Sequence, residues 1–102
     1  MNANPDISGD WIGHYVGHFD EMVRIDRLGP TYVAVKMSGD DHVPAGEITW
    51  RVDTTSLLGE GQIAELEFRN PKFVPGRLEV IDGDHIVFHW LGVGHVEYRR
   101  DD

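Results

Sequence analysis

The residues of this 102-residue chain best equipped for chemistry are its six histidines and eighteen carboxylates, and it has no cysteine. Without thiolates there is no cysteine nucleophile and no cysteine-based zinc or iron–sulfur site. His85 and His89 would meet on a helix, but on a strand rising about 3.3 Å per residue they stand roughly 13 Å apart and cannot share an ion. His14 and His18 meet the same objection. A glycosidase-type pair drawn from Glu21 and Asp40, or from Asp82 and Asp84, needs a separation of about 5–9 Å across a substrate, which no spacing here sets. Ser8, Ser38 and Ser56 have no nucleophile-elbow context, and no glycine-rich phosphate loop opens a helix. The expectation is a protein that is not an enzyme and holds no metal or cofactor.

A formal charge of −9, from eighteen acidic against nine basic residues, sets up a field that repels phosphate backbones and anionic headgroups. Nucleic acid and membrane are therefore not expected as partners. The N-terminus lacks a basic segment followed by an apolar one, and no apolar run is long enough to span a bilayer, so the expected location is cytoplasmic.

Whatever these residues do, strands must position them. Glycine and proline punctuate the whole sequence and leave segments too short for ordinary helices. Strands are expected over residues 10–16, 22–28 and 32–37, the last two joined by a Gly29-Pro30 turn. Residues 47–53 follow, where Ile48, Trp50 and Val52 alternate with polar neighbours. The same period of two recurs over 64–68 (Ala64, Leu66 and Phe68) and over 77–80, and a terminal hairpin joins 85–91 to 95–99. Residues 39–46, 69–76 and 54–61 read as connections, the last with a helical turn near Leu57, and residues 1–8 as a flexible arm. About eight short antiparallel strands in one domain predict an all-β closed barrel, lipocalin-like in shape, because closure removes free edges. Trp11, Tyr15, Trp50, Phe68, Phe88 and Trp90 are expected mostly in the core, with Trp90 lining a mouth where polar groups orient a ligand.

Several segments together carry a family resemblance. Gly13-His14-Tyr15 leads to His18 and Glu21. Lys36-Met37-Ser38-Gly39-Asp40 is followed by Val43-Pro44-Ala45-Gly46, and Gly59-Glu60-Gly61-Gln62-Ile63-Ala64 comes next. Val74-Pro75-Gly76, Asp82-Gly83-Asp84 and Ile86-Val87-Phe88-His89-Trp90 complete the series. In this order the segments resemble the cyclin-D-binding β-barrel domain of the F-box-only substrate receptors, also present in plant EXECUTER proteins. Gly17 and Phe19 depart from the family's proline and glycine around the histidine. The resemblance implies a non-catalytic module that takes up C-terminal tails of client proteins, including amidated ends, in the manner of a C-terminal degron receptor. No F-box segment is read ahead of the barrel, so its downstream output is open.

The residues expected to contact such an end are Lys36, Asp40, Pro44, Ala45, Gly46, Asp82, Asp84, Trp90, His18 and Glu21. A terminal carboxamide offers two N–H donors and one acceptor without charge, so a site rich in carboxylates is expected to prefer it over a charged end. The alternatives are a small-molecule barrel of lipocalin type and a domain that senses oxidation through tryptophan.

Overall fold

Period-two patterning closes the sheet on itself. The computed structural model describes residues 5–14 and 20–101. Its strands are β1 (Gly9–His14), β2 (Glu21–Leu28), β3 (Thr31–Lys36), β4 (Ile48–Asp53), β5 (Leu58–Glu65), β6 (Arg69–Asp82), β7 (His85–Trp90) and β8 (Gly94–Arg100). Each pairs antiparallel with the next, and β1 pairs with β8, so the eight strands form one closed barrel. In this up-and-down order the last residues of β1, β3, β5 and β7 gather at one end, here the mouth, and those of β2, β4 and β6 at the base.

The alternating inward positions fill the base and middle with rings. Trp50 stacks on Phe88 with centroids 4.9 Å apart and planes 5° apart, Trp90 meets Phe88 edge-on at 4.7 Å, and Tyr98 meets Trp50 edge-on at 6.1 Å. Offset and edge-to-face pairs of this kind add to the burial energy because the electron-poor ring edge faces the electron-rich ring face. Small residues opposite make the room: a Cβ at Gly13 would lie 2.6 Å from the Tyr98 ring, and one at Gly61 would collide with Trp90 and Phe88.

The base is plugged. Ile7 is fully buried, and its carbonyl accepts a hydrogen bond from the Trp11 indole at 2.9 Å. Arg100 lies over the Trp11 ring at 4.5 Å and donates to the carbonyls of Asp6, Ser8 and Gly83, each at 3.0 Å. Of the expected arm, Ile7 is thus part of the core and the backbone of residues 6–8 is held against the barrel, because Ile7 has an apolar socket and Arg100 satisfies the carbonyls on either side of it. Met1–Asn4 lie outside the described residues, as do Tyr15 and Val16 of the first expected strand.

Four other expectations change. Residues 64–68 do not continue as a strand: β5 ends at Glu65, and a 3₁₀ turn at Leu66–Phe68 places Glu67, Phe68 and nearby Asn70 at positive φ, leaving Leu66 exposed. Residues 69–76, read as a loop from their two prolines, form the first half of β6. Pro75 lies opposite Glu60 within the β5–β6 ladder, and the alternating side chains satisfy the strand geometry despite the missing N–H. Residues 58–61 belong to β5 rather than to a connection. The alternation in β4 is also broken. The register slips between Ala34 and Val35, which face Trp50 and Ile48, so Thr49 is the extra residue of a bulge and turns inward beside Trp50.

Trp50→Ala removes the ring at the centre of the aromatic column and is expected to destabilise the barrel by about 3–5 kcal/mol, read as a shift in the denaturant midpoint at constant slope. Gly61→Ala places a methyl group against Trp90 and Phe88 and is expected to cost about 1–3 kcal/mol by overpacking, whereas Gly29→Ala, with open space around it, pays only for its positive φ.

Candidate functional site

The longest connection at the mouth, residues 37–47, folds inward. A Cβ at Gly39 would lie 2.6 Å from the Ala45 nitrogen and 3.1 Å from Pro44 Cα, so glycine lets the two limbs of the loop close on each other. Asp40 staples it. Its Oδ1 accepts the backbone N–H groups of His42 at 2.8 Å and Val43 at 2.7 Å, and its own N–H donates to the Val43 carbonyl at 3.1 Å. The Gly46 N–H returns to the Lys36 carbonyl at 2.8 Å. His42 Nδ1 lies 3.0 Å from the Ala64 carbonyl and the Glu67 N–H reaches the Asp41 carbonyl at 2.7 Å, which ties this loop to the β5–β6 connection.

The Asx turn fixes where the other carboxylate oxygen points. Lys36, only 4% exposed at the inward end of β3, donates to Asp40 Oδ2 at 2.7 Å and to Glu21 Oε2 at 2.9 Å. Glu21 Oε1 in turn accepts the Tyr98 hydroxyl at 3.2 Å, and that hydroxyl accepts the Trp50 indole N–H at 3.1 Å. A polar chain therefore runs from the aromatic column to the mouth. Burial works against the Lys36 charge, yet the Glu21 charge and the hydrogen bonds Lys36 donates to both carboxylates outweigh it and hold its pKa above the ordinary lysine range. Burial likewise opposes ionisation of Asp40, but the Lys36 hydrogen bond and the Val43 and His42 N–H groups prevail and hold it below the ordinary carboxylate range. Tyr98 is pushed well up by burial and by the Glu21 charge, so it remains a neutral donor.

Beside this chain lies a cavity of about 590 Å³, lined by Glu21, Lys36, Asp40, Thr49, Gln62 and Trp90 among others. Val43, Ile63 and Val96 give it an apolar wall, and Asp20 and Asp41 add two further carboxylates. Its size and its mixture of apolar wall and a few convergent polar groups match small-ligand and peptide pockets. A second hollow of about 340 Å³ is an open groove on the outer wall near Thr31, Arg51 and Glu60, away from this chemistry.

Four of the expected residues, Glu21, Lys36, Asp40 and Trp90, come together here. Pro44, Ala45 and Gly46 sit in the mouth loop but are exposed and do not line the cavity; they shape the loop around Gly39 instead. Asp82 and Asp84 lie at the base, the opposite end, because β6 carries the chain the full height of the barrel. There Asp82 Oδ1 accepts the Asp84 N–H at 2.8 Å to hold the β6–β7 turn, and Asp84 lies 3.7 Å from Arg100. His18 lies outside the described residues. His85 faces Asp82 and His89 faces Glu79, so the two rings have separate partners. Thr49, Gln62 and Tyr98 were not among the expected contacts: the bulge that turns Thr49 inward has no sequence signal, and Gln62 falls between the connection expected over 54–61 and the strand expected over 64–68. All three tryptophans are largely sealed, Trp11 and Trp50 completely and Trp90 to 9% exposure.

The pKa directions set a pH window. Asp40, lowered on folding, contributes stability above the unfolded aspartate value near about 3.9 and loses it as pH falls through its folded value; Lys36, raised on folding, contributes below about 10.4 and loses it as pH rises through its folded value. Thermal melts are expected to show the Asp40→Asn variant separated from the parent protein at neutral pH and converging with it below about pH 4.

Comparison with known proteins gives this geometry a lineage. The chain is 30% identical to the rice protein EXECUTER 2, chloroplastic, over 89% of its own length and 20% of that protein's. It is 31% identical to Arabidopsis EXECUTER 1, chloroplastic, over 52% of its length and 10% of the relative's. The chain thus spans a fifth or less of these relatives. The Cyclin D1 binding domain model matches residues 5–100, every strand of the barrel included. This chain belongs to the Cyclin D1 binding domain family.

Proposed function

We propose that the cavity at the mouth binds a protein partner by the C-terminal end of its chain, and that it prefers a neutral end, such as a carboxamide, to a carboxylate. The family's name, with cyclin D1 as a protein ligand, supports the coarser part of this reading. The observation that carries the finer part is Lys36, the cavity's ammonium, held by both Glu21 and Asp40. Its charge is already neutralised, and with Asp20 and Asp41 nearby the cavity walls are net negative. An incoming carboxylate meets that field unpaired, whereas carboxamide N–H groups can use the remaining carboxylate lone pairs and the third Lys36 N–H can serve its carbonyl. Trp90 and the Val43–Val96 side provide an apolar surface for the last side chain.

The module is non-catalytic in this reading. Glu21 and Asp40 are brought close to one group, as a hydrolytic pair would be, but an ammonium stands between them and Asp40 is held ionised, so it is not poised to act as a general acid. The low exposure of Trp11 and Trp50 speaks against oxidation sensing, while the size of the cavity keeps a small apolar ligand as the second reading. The chloroplast in the relatives' names belongs to those longer proteins; a cytoplasmic site of action remains a proposal for this one.

Calorimetric titration with matched peptides ending in a carboxamide, a carboxylate or one extra residue is expected to rank the amide first, by about 1–3 kcal/mol over the wrong ends. Equal binding of the three removes end recognition, and binding of a fatty acid in preference to every peptide selects the small-molecule reading.

A further inference from the structure

Two opposite lips of the mouth differ in chemistry. In a closed ring of eight strands the β3–β4 and β7–β8 connections stand across from each other, and residues of both line the cavity. The β3–β4 lip is acidic. Asp41 sits inside the Asx turn that Asp40 makes with His42 and Val43, and its carbonyl accepts the Glu67 N–H at 2.7 Å, so its main chain is fixed from both directions. Asp41 is exposed, lines the cavity, and has no ion-pair partner among the described residues. Glu67 adds a second exposed acid beside it, while Arg69 in the same connection is turned back onto the Leu66 carbonyl at 3.3 Å. Lys36 offers no free charge here, being held by Glu21 and Asp40. The β7–β8 lip is apolar. Val93 lines the cavity yet is 58% exposed, with Leu91 near it at 51%, and the buried Trp90 and Val96 continue that side into the barrel. An apolar lip left open to water above an apolar wall marks a surface that an occupant covers. Charge selects the occupant, because the opposite lip repels an anionic chain and attracts a cationic one.

We infer that the mouth docks an extended peptide in which a basic residue stands between two apolar ones: the last side chain and the one two before it lie on the Trp90–Val93 side, and a lysine or arginine between them faces Asp41. Successive side chains of an extended chain point to opposite sides, so a peptide passing between the two lips presents them alternately. This rests on the peptide-end reading above and adds the chemistry of the residues that precede the end: Lys36, Glu21 and Asp40 sense the terminal group, and Asp41 and Val93 sense the order of side chains leading up to it.

The test is calorimetric titration of short acetylated carboxamides that end Leu-Lys-Leu or Lys-Leu-Leu, one composition in two orders, together with Leu-Gln-Leu and Leu-Glu-Leu. The formal charge of −9 attracts both lysine peptides alike, so the two lips alone separate them. Leu-Lys-Leu is expected to bind about tenfold more tightly than Lys-Leu-Leu and about fivefold more tightly than Leu-Gln-Leu, with Leu-Glu-Leu weakest. In about 1 M salt, where the Debye length falls to about 3 Å, the advantage of lysine over glutamine is expected to shrink to about twofold or less. Asp41→Asn is expected to remove most of that advantage and to leave the ranking of amide over carboxylate unchanged, and Val93→Ser to weaken Leu-Lys-Leu about threefold while leaving Ser-Lys-Leu unaffected. Equal binding of Leu-Lys-Leu and Lys-Leu-Leu, or a lysine preference untouched by Asp41→Asn, overturns the inference while end recognition stands on the amide ranking. If Leu-Lys-Leu binds equally with an amide and a carboxylate end, end recognition falls, and a surviving order preference upholds the docking surface without it. If none of the peptides binds, both readings fall together.

Discussion

A buried ammonium organises the mouth of this barrel. Taking the Lys36 charge out of water costs several kcal/mol unless partners replace the solvent, and two carboxylates from different parts of the chain do so. Glu21 is delivered by the first residue of β2, and Asp40 by a loop whose Asx turn, glycine contact and return bond to Lys36 leave it little freedom. Removing one carboxylate would strand the charge, whereas an apolar residue in place of Lys36 would leave two carboxylates facing each other. The three groups therefore hold their positions jointly, and the loop over the mouth is folded because it has a charge to neutralise. Such a pair adds little net stability; what it supplies is geometry.

The rest of the barrel makes that geometry possible by being full elsewhere. An eight-stranded barrel has an interior just wide enough for side chains to fill, and here the rings of Trp11, Trp50, Phe88 and Tyr98 fill its base and middle, with Ile7 as a stopper and Arg100 over it. Glycines on neighbouring strands accept the rings, so bulk and absence of bulk alternate around the wall. The column ends at Trp90, beyond which the wall residues are Thr49, Val43 and Val96, too small to fill the remaining width. The cavity is the space left where aromatic filling stops, and the Trp50–Tyr98–Glu21 hydrogen bonds connect the filled part to the charged one.

Much of this was legible in the sequence because period two and turn residues are local signals. Val23 with Ile25, Leu78, and Phe88 with Trp90 fall on the inner face as their alternation requires. Where the reading failed, a non-local constraint prevailed. Pro71 and Pro75 read as loop residues, yet the chain there is a strand paired along β5. Ala64, Leu66 and Phe68 alternate like a strand, but only Ala64 remains in β5, and left-handed residues at the rim turn the chain at Leu66–Phe68. For the site, the motif around Lys36 and Asp40 was visible as residues, and its partnership with Glu21 follows only from the Val23–Lys36 register of β2 and β3. Asp82 and Asp84 are expected at the mouth with Trp90, as part of the segment that resembles the family's final block. On a strand, however, the few residues from His85 to Trp90 cross the whole barrel, so nearness along the chain meant opposite ends in space.

That crossing separates two kinds of requirement. At the base, the Asp82 turn, Arg100 and Ile7 serve only to close the barrel, and their interactions are saturated: each hydrogen-bonding group of the Arg100 side chain that is placed has a carbonyl or carboxylate near it. At the mouth the interactions are nearly but not wholly saturated, with a negative field that Lys36 does not cancel. The ring of pairings leaves little free strand edge for a partner to extend, and the proposed reading therefore places recognition at the open end. A module closed in this way can be carried within much longer chains, as in the EXECUTER relatives, where it accounts for a fifth of the length or less. In the proposed reading its neighbours in such a chain need only leave the mouth uncovered, because the saturated contacts lie at one end and the binding groups at the other.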